Sequence, residues 1–125
     1  MPADYRIDKQ EHVVYATVWG KLTTEDVMAA RKRVRADPDF SPDMKQLIDG
    51  RGLTDWEPTS DETSRLADHD PFGPGARRAF VASEDVFYGM FRMYQMLTDS
   101  SDIRVGVFRD MEKACEWLGI SPYEP

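Results

Sequence analysis

A strand followed by a helix is predicted for residues 12–37, which read HVVYATVWGKLTTEDVMAARKRVRAD. Residues 12–19 are rich in Val, Tyr, Thr and Trp, the residue types that favour β-strands. The helix start is well defined, because Thr23 can act as the N-cap and Asp26 lies three residues later, close to a capping box. Asp37 is followed by a proline, which disfavours the helical conformation at the residue before it. We therefore expect a strand over 12–19 and a helix that ends at Asp37.

The predicted helix carries a cluster of basic residues in its last turns. Val27, Arg31 and Val34 recur at helical spacing and define its apolar stripe. The basic cluster consists of Arg31, Lys32, Arg33 and Arg35. Positive charge in the last turns complements the helix dipole, so a solvated basic face is expected. A patch that binds anions is the alternative interpretation.

Signals of the same kind extend from this segment in both directions. Thr59 and Glu62 form a second capping-box pattern, and Gly119 can end the last helix in a left-handed conformation. Residues 50–58 are too polar and too rich in turn formers to predict a regular element. The remaining predicted elements are a strand near 5–9, a strand over 44–48, a helix from 59 to about 69, a strand over 76–82, a helix from 83 or 84 to about 98, a strand over 103–108 and a helix from 110 to 118.

The predicted element order is ββαβαβαβα, which defines the fold class as α/β. Strands that alternate with helices predict a mostly parallel sheet with right-handed crossovers, and the N-terminal hairpin adds one antiparallel edge. We expect a mixed five-stranded sheet with helices packed on it, formed by a single domain over residues 1–125. The order of the strands does not follow from the sequence.

Composition and charge exclude several classes of protein. The chain has 125 residues and a net charge of -7, which argues against nucleic acid or an anionic membrane as the main partner. Its longest nearly apolar run, residues 13–19, is far shorter than the roughly 20 residues of a membrane-spanning helix. The N-terminus lacks the pattern of a secretory signal, and the lone Cys115 suits a reducing compartment. We therefore expect a cytoplasmic protein without membrane insertion.

Five short motifs follow one another between about residues 20 and 120. They are Gly20-Lys-Leu-Thr, Leu47-Ile-Asp-Gly-Arg, Arg78-Ala-Phe-Val-Ala, Tyr88-Gly-Met-Phe-Arg, and Val107-Phe-Arg-Asp with Trp117-Leu-Gly. Their order and spacing resemble the STAS-like fold of bacterial anti-sigma-factor antagonists, and more closely a group of small uncharacterised bacterial proteins with the SpoIIAA-like fold. The resemblance implies a STAS-like domain that acts as a non-catalytic binding or regulatory module.

The resemblance also directs attention to the start of the second helix. In antagonists of that type, a serine at this position is phosphorylated to switch partner binding, and Ser60 falls at the equivalent place. The usual Asp-Ser-Ser/Thr-Gly run is absent, since the sequence reads Asp55-Trp-Glu-Pro-Thr-Ser. Asp61 and Glu62 would also repel a phosphate in that first turn. We expect Ser60 to be chiefly structural and not phosphorylated.

Residues that could carry catalysis or bind a cofactor are few. Cys115 lies on the apolar stripe of the last helix, which predicts a buried, inert thiol. The run Asp68-His69-Asp70 is a weak metal candidate, because adjacent residues on a helix do not face one point. Gly73 and Gly75 precede a strand rather than a helix, the wrong context for a nucleotide-binding loop. We expect no catalytic residue, no metal and no cofactor.

A polar site is predicted at one edge of the sheet. In open α/β sheets, ligands bind outside the carboxyl ends of the strands. The candidate ligand-binding residues are Asp49, Arg51 and Trp56 after the third strand, and Ser83 and Asp85 after the fourth. A small-ligand-binding protein or a minor enzyme would use this edge. The alternative is that Asp49 and Arg51 form a local ion pair and that Ser83 is only a helix cap.

The third helix has an unusually wide apolar face. Its apolar residues from Val86 to Leu97 fill an arc of about 160°, with Phe91 at one edge, whereas a surface helix needs little more than about 100°. Phe87, Met90, Phe91 and Tyr94 are therefore candidate interface residues, in a homodimer or with another protein partner. The alternative is a large core helix. The leading hypothesis is a STAS-like module that acts through protein–protein contact.

Overall fold

The predicted order of elements is confirmed by a computed structural model, which describes residues 3–68, 71–73, 75–98 and 104–122. The predicted end of the second helix at His69 and the predicted start of the fifth strand at Ile103 lie outside the described residues. The elements are β1 (Ala3–Asp8), β2 (Val13–Leu22), α1 (Thr24–Ala36), β3 (Lys45–Trp56), α2 (Ser60–Asp68), β4 (Arg77–Val81), α3 (Asp85–Leu97), β5 (Arg104–Phe108) and α4 (Met111–Leu118).

The strands form one mixed sheet in the order β1-β2-β3-β4-β5, so the predicted α/β class is confirmed. β1 pairs with β2 antiparallel, and the remaining neighbours are parallel. Each parallel pair joins strands that are consecutive in the chain. Right-handed crossovers that repeat in one direction across a sheet place their helices on the same face. This arrangement puts α1, α2 and α3 on one side of the sheet and leaves the other side to α4.

Side chains alternate between these two faces along each strand. On β3, Ile48 points into the cluster formed with α1, α2 and α3, which we call the α1–α3 face. Its neighbour Leu47 points into the cluster formed with α4, which we call the α4 face. Phe80 and Val81 on β4 alternate in the same way. The core is therefore two layers of apolar side chains, one on each side of the sheet.

The helix boundaries follow the predicted capping signals. Thr23 and Asp26 exchange both hydrogen bonds of a capping box at the start of α1. Thr59 and Glu62 do the same before α2, because the Glu62 amide donates to Oγ1 of Thr59 and the Thr59 amide donates to the Glu62 carboxylate. Gly119 ends α4 with φ of 71°, a left-handed conformation that favours glycine. Among the residues described, no helix is long and apolar enough to cross a lipid bilayer.

The third strand is much longer than predicted. Residues 50–56 were expected to be irregular, but β3 continues through them to Trp56 and pairs with β2 as far as Leu22. Two register shifts interrupt the ladder, between Thr17 and Trp19 and between Gly20 and Lys21 on β2. Each bulge breaks the alternation of apolar and polar residues, which is the pattern that identifies a strand in a sequence. The prediction of an irregular segment is therefore wrong.

Gly50 lies where β3 approaches the buried aromatic side chains of α3. A Cβ atom at this position would lie 2.9 Å from the Phe91 ring and 3.0 Å from the Val81 carbonyl oxygen. The attraction between two carbon atoms is strongest at about 3.5 to 4.0 Å, and a contact of 2.9 Å is well inside the repulsive range. The absence of a side chain at Gly50 therefore allows the Phe91 ring to pack against the sheet.

We predict opposite effects for the same substitution at two glycines. Gly50→Ala should destabilise the protein by about 1 to 3 kcal/mol, because the added methyl group overpacks the core against Phe91. Gly89 lies in α3, and a Cβ atom added there would meet no other heavy atom of the described residues within 4 Å. Gly89→Ala should stabilise the protein by about 0.5 to 1 kcal/mol, because alanine favours the helix. Urea unfolding of both variants measures the difference, and equal effects would contradict this description of Gly50.

Candidate functional site

Asp49 and Arg51 form a close ion pair. Two nitrogens of the Arg51 guanidinium donate to the two carboxylate oxygens of Asp49, both at 2.9 Å, and the Arg51 amide donates at 3.1 Å. Burial raises the pKa of Asp49, but the hydrogen bonds from Arg51 more than offset it and hold the pKa below its usual value. Asp49 and Arg51 therefore form the local ion pair that was the alternative interpretation to a ligand-binding site.

Trp56 does not join that pair in one pocket. The bulges in β3 align Trp56 with Leu22 of β2, and its side chain packs on the α1–α3 face. Asp49 occupies a strand position of the same parity as Leu47, which points to the α4 face. The sheet itself therefore separates Trp56 from Asp49. The expectation that these side chains converge is wrong for Trp56, and the cause is the bulged continuation of β3.

The other two residues of the predicted edge site are exposed. Ser83 and Asp85 precede and begin α3, and the N-cap of that helix is Glu84 rather than Ser83. The Asp85 carboxylate accepts from the Arg109 guanidinium at 2.6 Å in an exposed ion pair. Arg109 also lies over the ring of Tyr88, 4.4 Å from its centroid. These contacts link α3 to the end of β5 at the protein surface.

Three of the four candidate interface residues on α3 belong to the core. Phe87, Phe91 and Tyr94 are buried on the α1–α3 face, and Met90 is half-buried. Phe91 packs edge-on against Phe80 of β4, with ring centroids 4.9 Å apart. Phe91 lies at one edge of the apolar arc, as predicted, but α3 is oriented so that this edge faces the sheet, and Phe91 is therefore a core residue rather than an exposed interface residue.

A cavity of about 100 Å³ lies on the α1–α3 face, between the sheet and the three helices, and is partly open to the surface. The side chains of β2 and α1 that line the cavity are small or branched, so they do not fill it. Aromatic rings form the opposite wall. Trp56 contributes to the wall with its ring perpendicular to that of Phe91. The main apolar lining residues are Ala16, Val18, Leu22, Val27, Ala30, Val34, Ile48, Leu66, Phe72, Phe80 and Phe91.

One end of the cavity is polar, although its side chains are buried. Arg31 of α1, Arg78 of β4 and Tyr94 of α3 are 8%, 3% and 4% exposed. The Tyr94 hydroxyl oxygen accepts from the Arg31 guanidinium at 2.7 Å and from the Arg78 guanidinium at 3.2 Å. Arg31 also donates to the carbonyl oxygen of Leu66, and Arg78 donates to the side-chain oxygen of Gln46 at 2.7 Å. We call Arg31, Gln46, Leu66, Arg78 and Tyr94 the Tyr94 cluster.

Aromatic rings surround the charge of Arg78. Its guanidinium carbon lies 5.1 Å from the centroid of the Phe72 ring, 5.0 Å from that of Phe80 and 5.6 Å from that of Tyr94. A cation this close to a ring face is stabilised by the ring quadrupole, and more so when water is excluded. The rings thus partly replace the hydration that Arg78 loses on burial.

Sequence reasoning missed the Tyr94 cluster, although two signals for it were present. Arg31 was assigned to a solvated basic face, and that assignment is wrong because its side chain is buried. Its spacing from Val27 and Val34 placed it on the apolar stripe. Arg78 is two residues before Phe80 in a strand, so both side chains point to the same face. Nothing in the sequence showed that these arginines would meet at one tyrosine.

The metal candidate Asp68-His69-Asp70 includes two residues, His69 and Asp70, that lie outside the described residues. In the part of the chain that the structure describes, no group of three or more His, Cys, Asp or Glu side chains could hold a metal ion. Cys115, the one cysteine of the sequence, is buried next to Ala114 on the α4 face.

The sheet order, the antiparallel N-terminal strand and the helices on both faces define the SpoIIAA-like, or STAS-like, fold. A crystal structure of an uncharacterised protein of the DUF3478 family with a SpoIIAA-like fold, from Shewanella loihica, is similar over 93% of both chains, with a TM-score of 0.64 and 19% sequence identity. At this level of sequence identity, the structural similarity shows the fold alone. No protein-family model matches the sequence, and no curated protein does.

We predict that the Tyr94 hydroxyl is needed for stability. Tyr94→Phe should destabilise the protein by about 1 to 3 kcal/mol, because two buried guanidinium groups lose a shared acceptor. Tyr88→Phe on the same helix is the matched control and should change stability by less than about 0.5 kcal/mol. Thermal and urea unfolding of both variants provide the measurement. Equal stability of the two variants would show that the hydroxyl is dispensable.

Proposed function

We propose that this protein is a non-catalytic module that binds a small, largely apolar molecule in the cavity between the sheet and α1, α2 and α3. The cavity itself carries the proposal. Protein interiors are close-packed, and voids larger than a water molecule are few. An engineered apolar cavity of about 150 Å³ is large enough to bind benzene, and this cavity of about 100 Å³ is also partly open.

The composition of the cavity supports binding more than turnover. Ligand sites are mostly apolar, with a few placed polar groups that fix orientation. Here the walls are aliphatic and aromatic, and the buried polar side chains among the described lining residues carry the two guanidiniums, one phenol and one amide of the Tyr94 cluster. These groups bind and orient ligands, whereas nucleophilic catalysis needs a nucleophile beside a base. The SpoIIAA-like fold is compatible with such a module.

Filling the cavity should abolish binding. Ala30 lines the cavity from α1, so Ala30→Leu places a larger side chain in the ligand's space. We expect this variant to bind 1-hexanol, a neutral probe with an apolar chain, about tenfold or more weakly than the unmodified protein. Ala36→Leu is the matched control, because Ala36 is exposed at the end of the same helix. Calorimetric or NMR titration measures both affinities.

Two outcomes would contradict the proposed binding function. One is that the unmodified protein does not bind 1-hexanol. The other is that Ala30→Leu and Ala36→Leu bind the probe with the affinity of the unmodified protein, which would place binding outside the cavity.

We also propose that the protein forms a homodimer in the cytoplasm through the exposed apolar side of α3. Three large apolar residues of this helix remain exposed: Val86 at 58%, Met96 at 66% and Leu97 at 40%. Taken at about 100° per residue, they span an arc of about 100° that runs from beside the buried face to the opposite side of the helix. Methionine-rich apolar surfaces suit contacts with a protein partner.

The dimer should have a mass near twice the 14.4 kDa of the chain. Met96→Glu should convert it to monomer without loss of the fold, because the added charge would be buried in the interface. Met28→Glu is the matched control, since Met28 is an exposed methionine on α1. Gel filtration with light scattering measures the mass and circular dichroism the fold. A monomeric mass for the unmodified protein at micromolar concentrations would refute the dimer.

A further inference from the structure

We infer that the molecule bound in the cavity is a neutral carbonyl compound, such as a ketone, an aldehyde or an ester, whose carbonyl oxygen accepts a hydrogen bond from the indole N–H of Trp56. The inference rests on the proposed binding function and names the chemical class of the ligand. It follows from a buried donor on a residue of the cavity wall that has no acceptor among the described residues.

The indole nitrogen of Trp56 is an exception in this protein. Among the described residues, Nε1 of Trp56 is the one buried side-chain nitrogen or oxygen that has no hydrogen-bond partner. Buried polar groups in proteins are hydrogen-bonded almost without exception, because a buried donor without an acceptor costs free energy. Ligand cavities are mostly apolar, with a few polar groups that orient the bound molecule. A ligand that supplies the acceptor therefore explains this donor.

The neighbours of Trp56 do not replace the missing acceptor. The indole ring is perpendicular to the Phe91 ring, with centroids 6.3 Å apart. An N–H group interacts with an aromatic ring much more weakly than with an oxygen atom. Leu22 is paired with Trp56 in the sheet, and the indole packs against the apolar cluster of the α1–α3 face. The surroundings of the N–H group are thus apolar.

The N–H group can reach a bound molecule by a small rotation of the indole. Nε1 is shielded by its neighbours, but the Trp56 side chain as a whole is only half-buried. Trp56 is the last residue of β3, so the chain leaves the sheet directly after it. The torsion about the Cβ–Cγ bond of tryptophan has broad minima. We expect this rotation to turn the N–H toward the carbonyl oxygen when the ligand binds.

The apolar surroundings select a carbonyl group over other acceptors. A carbonyl oxygen accepts a hydrogen bond and brings no donor of its own. A hydroxyl group would bring an O–H that has no acceptor among the apolar side chains beside Trp56. A carboxylate would lose the hydration of a full charge for a single hydrogen bond. A molecule with one carbonyl group and an apolar body satisfies the indole without adding an unpaired group.

The test compares two probes of the same shape, cyclopentanone and methylenecyclopentane, in which a C=CH₂ group replaces the C=O group. NMR titration of the isotope-labelled protein gives both affinities and follows the indole N–H signals directly. The signal of Trp56 should move to higher frequency with cyclopentanone, because its N–H gains an acceptor, and should move less with methylenecyclopentane. The other two tryptophans are internal controls, since Trp19 is exposed and Trp117 packs on the α4 face.

A variant without the donor separates the hydrogen bond from the shape of the cavity. Trp56→Phe enlarges the cavity for both probes, but it should lower the affinity for cyclopentanone about fivefold or more relative to any change in the affinity for methylenecyclopentane. Trp19→Phe is the matched control, because Trp19 is exposed on β2. It should change both affinities by less than about twofold.

The outcomes distinguish this inference from the proposed function. The inference is overturned, and the binding function stands, if the Trp56 signal moves no further with cyclopentanone than with methylenecyclopentane, or if Trp56→Phe weakens both probes equally. Binding of 1-hexanol without binding of cyclopentanone has the same meaning. Binding of none of the three probes would overturn both. If Trp56→Phe does not fold, the indole signals decide the question, because Trp19→Phe and Trp117→Phe identify the other two.

Discussion

Three crossovers in one direction across the sheet determine where the other parts of this protein lie. They bring α1, α2 and α3 to one face, so three helices share the space above it. Arg31 spans this space from α1 to the Leu66 carbonyl of α2 and the Tyr94 hydroxyl of α3. Arg78 of β4 meets the same hydroxyl. One buried polar cluster therefore connects three helices to the sheet, and the cavity lies beside it.

Local signals in the sequence predicted where the helices begin, but they did not predict how far β3 continues. The capping boxes at Thr23 and Thr59 predicted helix starts correctly, because a cap is an interaction within four residues of chain. The end of β3 at Trp56 depends on β2, a partner more than thirty residues away in the chain. The register shifts between these strands hide the alternation that would have revealed the strand. The position of Trp56 in the cavity wall could not be predicted for that reason.

The third helix illustrates a second limit of sequence patterns. The width of its apolar arc was correct, and it exceeds what one sheet face covers, because Val86, Met96 and Leu97 remain exposed. The pattern could not indicate which edge of the arc faces the core. That choice is made by the partners of α3: Phe80 of β4 stacks on Tyr94 at 5.4 Å, and Gly50 of β3 leaves room for Phe91. A wide apolar arc predicts that some apolar surface stays exposed, but it does not identify which residues are exposed.

The two faces of the sheet provide an internal comparison for the buried charges. The cluster on the α4 face consists of Val, Leu, Ala and Cys side chains with Tyr15, and it packs without a buried arginine among the described residues. The same strands on the α1–α3 face include Gln46 and Arg78, and α1 adds Arg31. Replacing buried charged groups with apolar ones of similar volume often stabilises a protein. Removing only one member of such a cluster is costly, because the other buried groups lose their hydrogen-bond partner. The buried polar residues of the α1–α3 face therefore stabilise this fold as a hydrogen-bonded set that joins α1, α2 and α3 to the sheet.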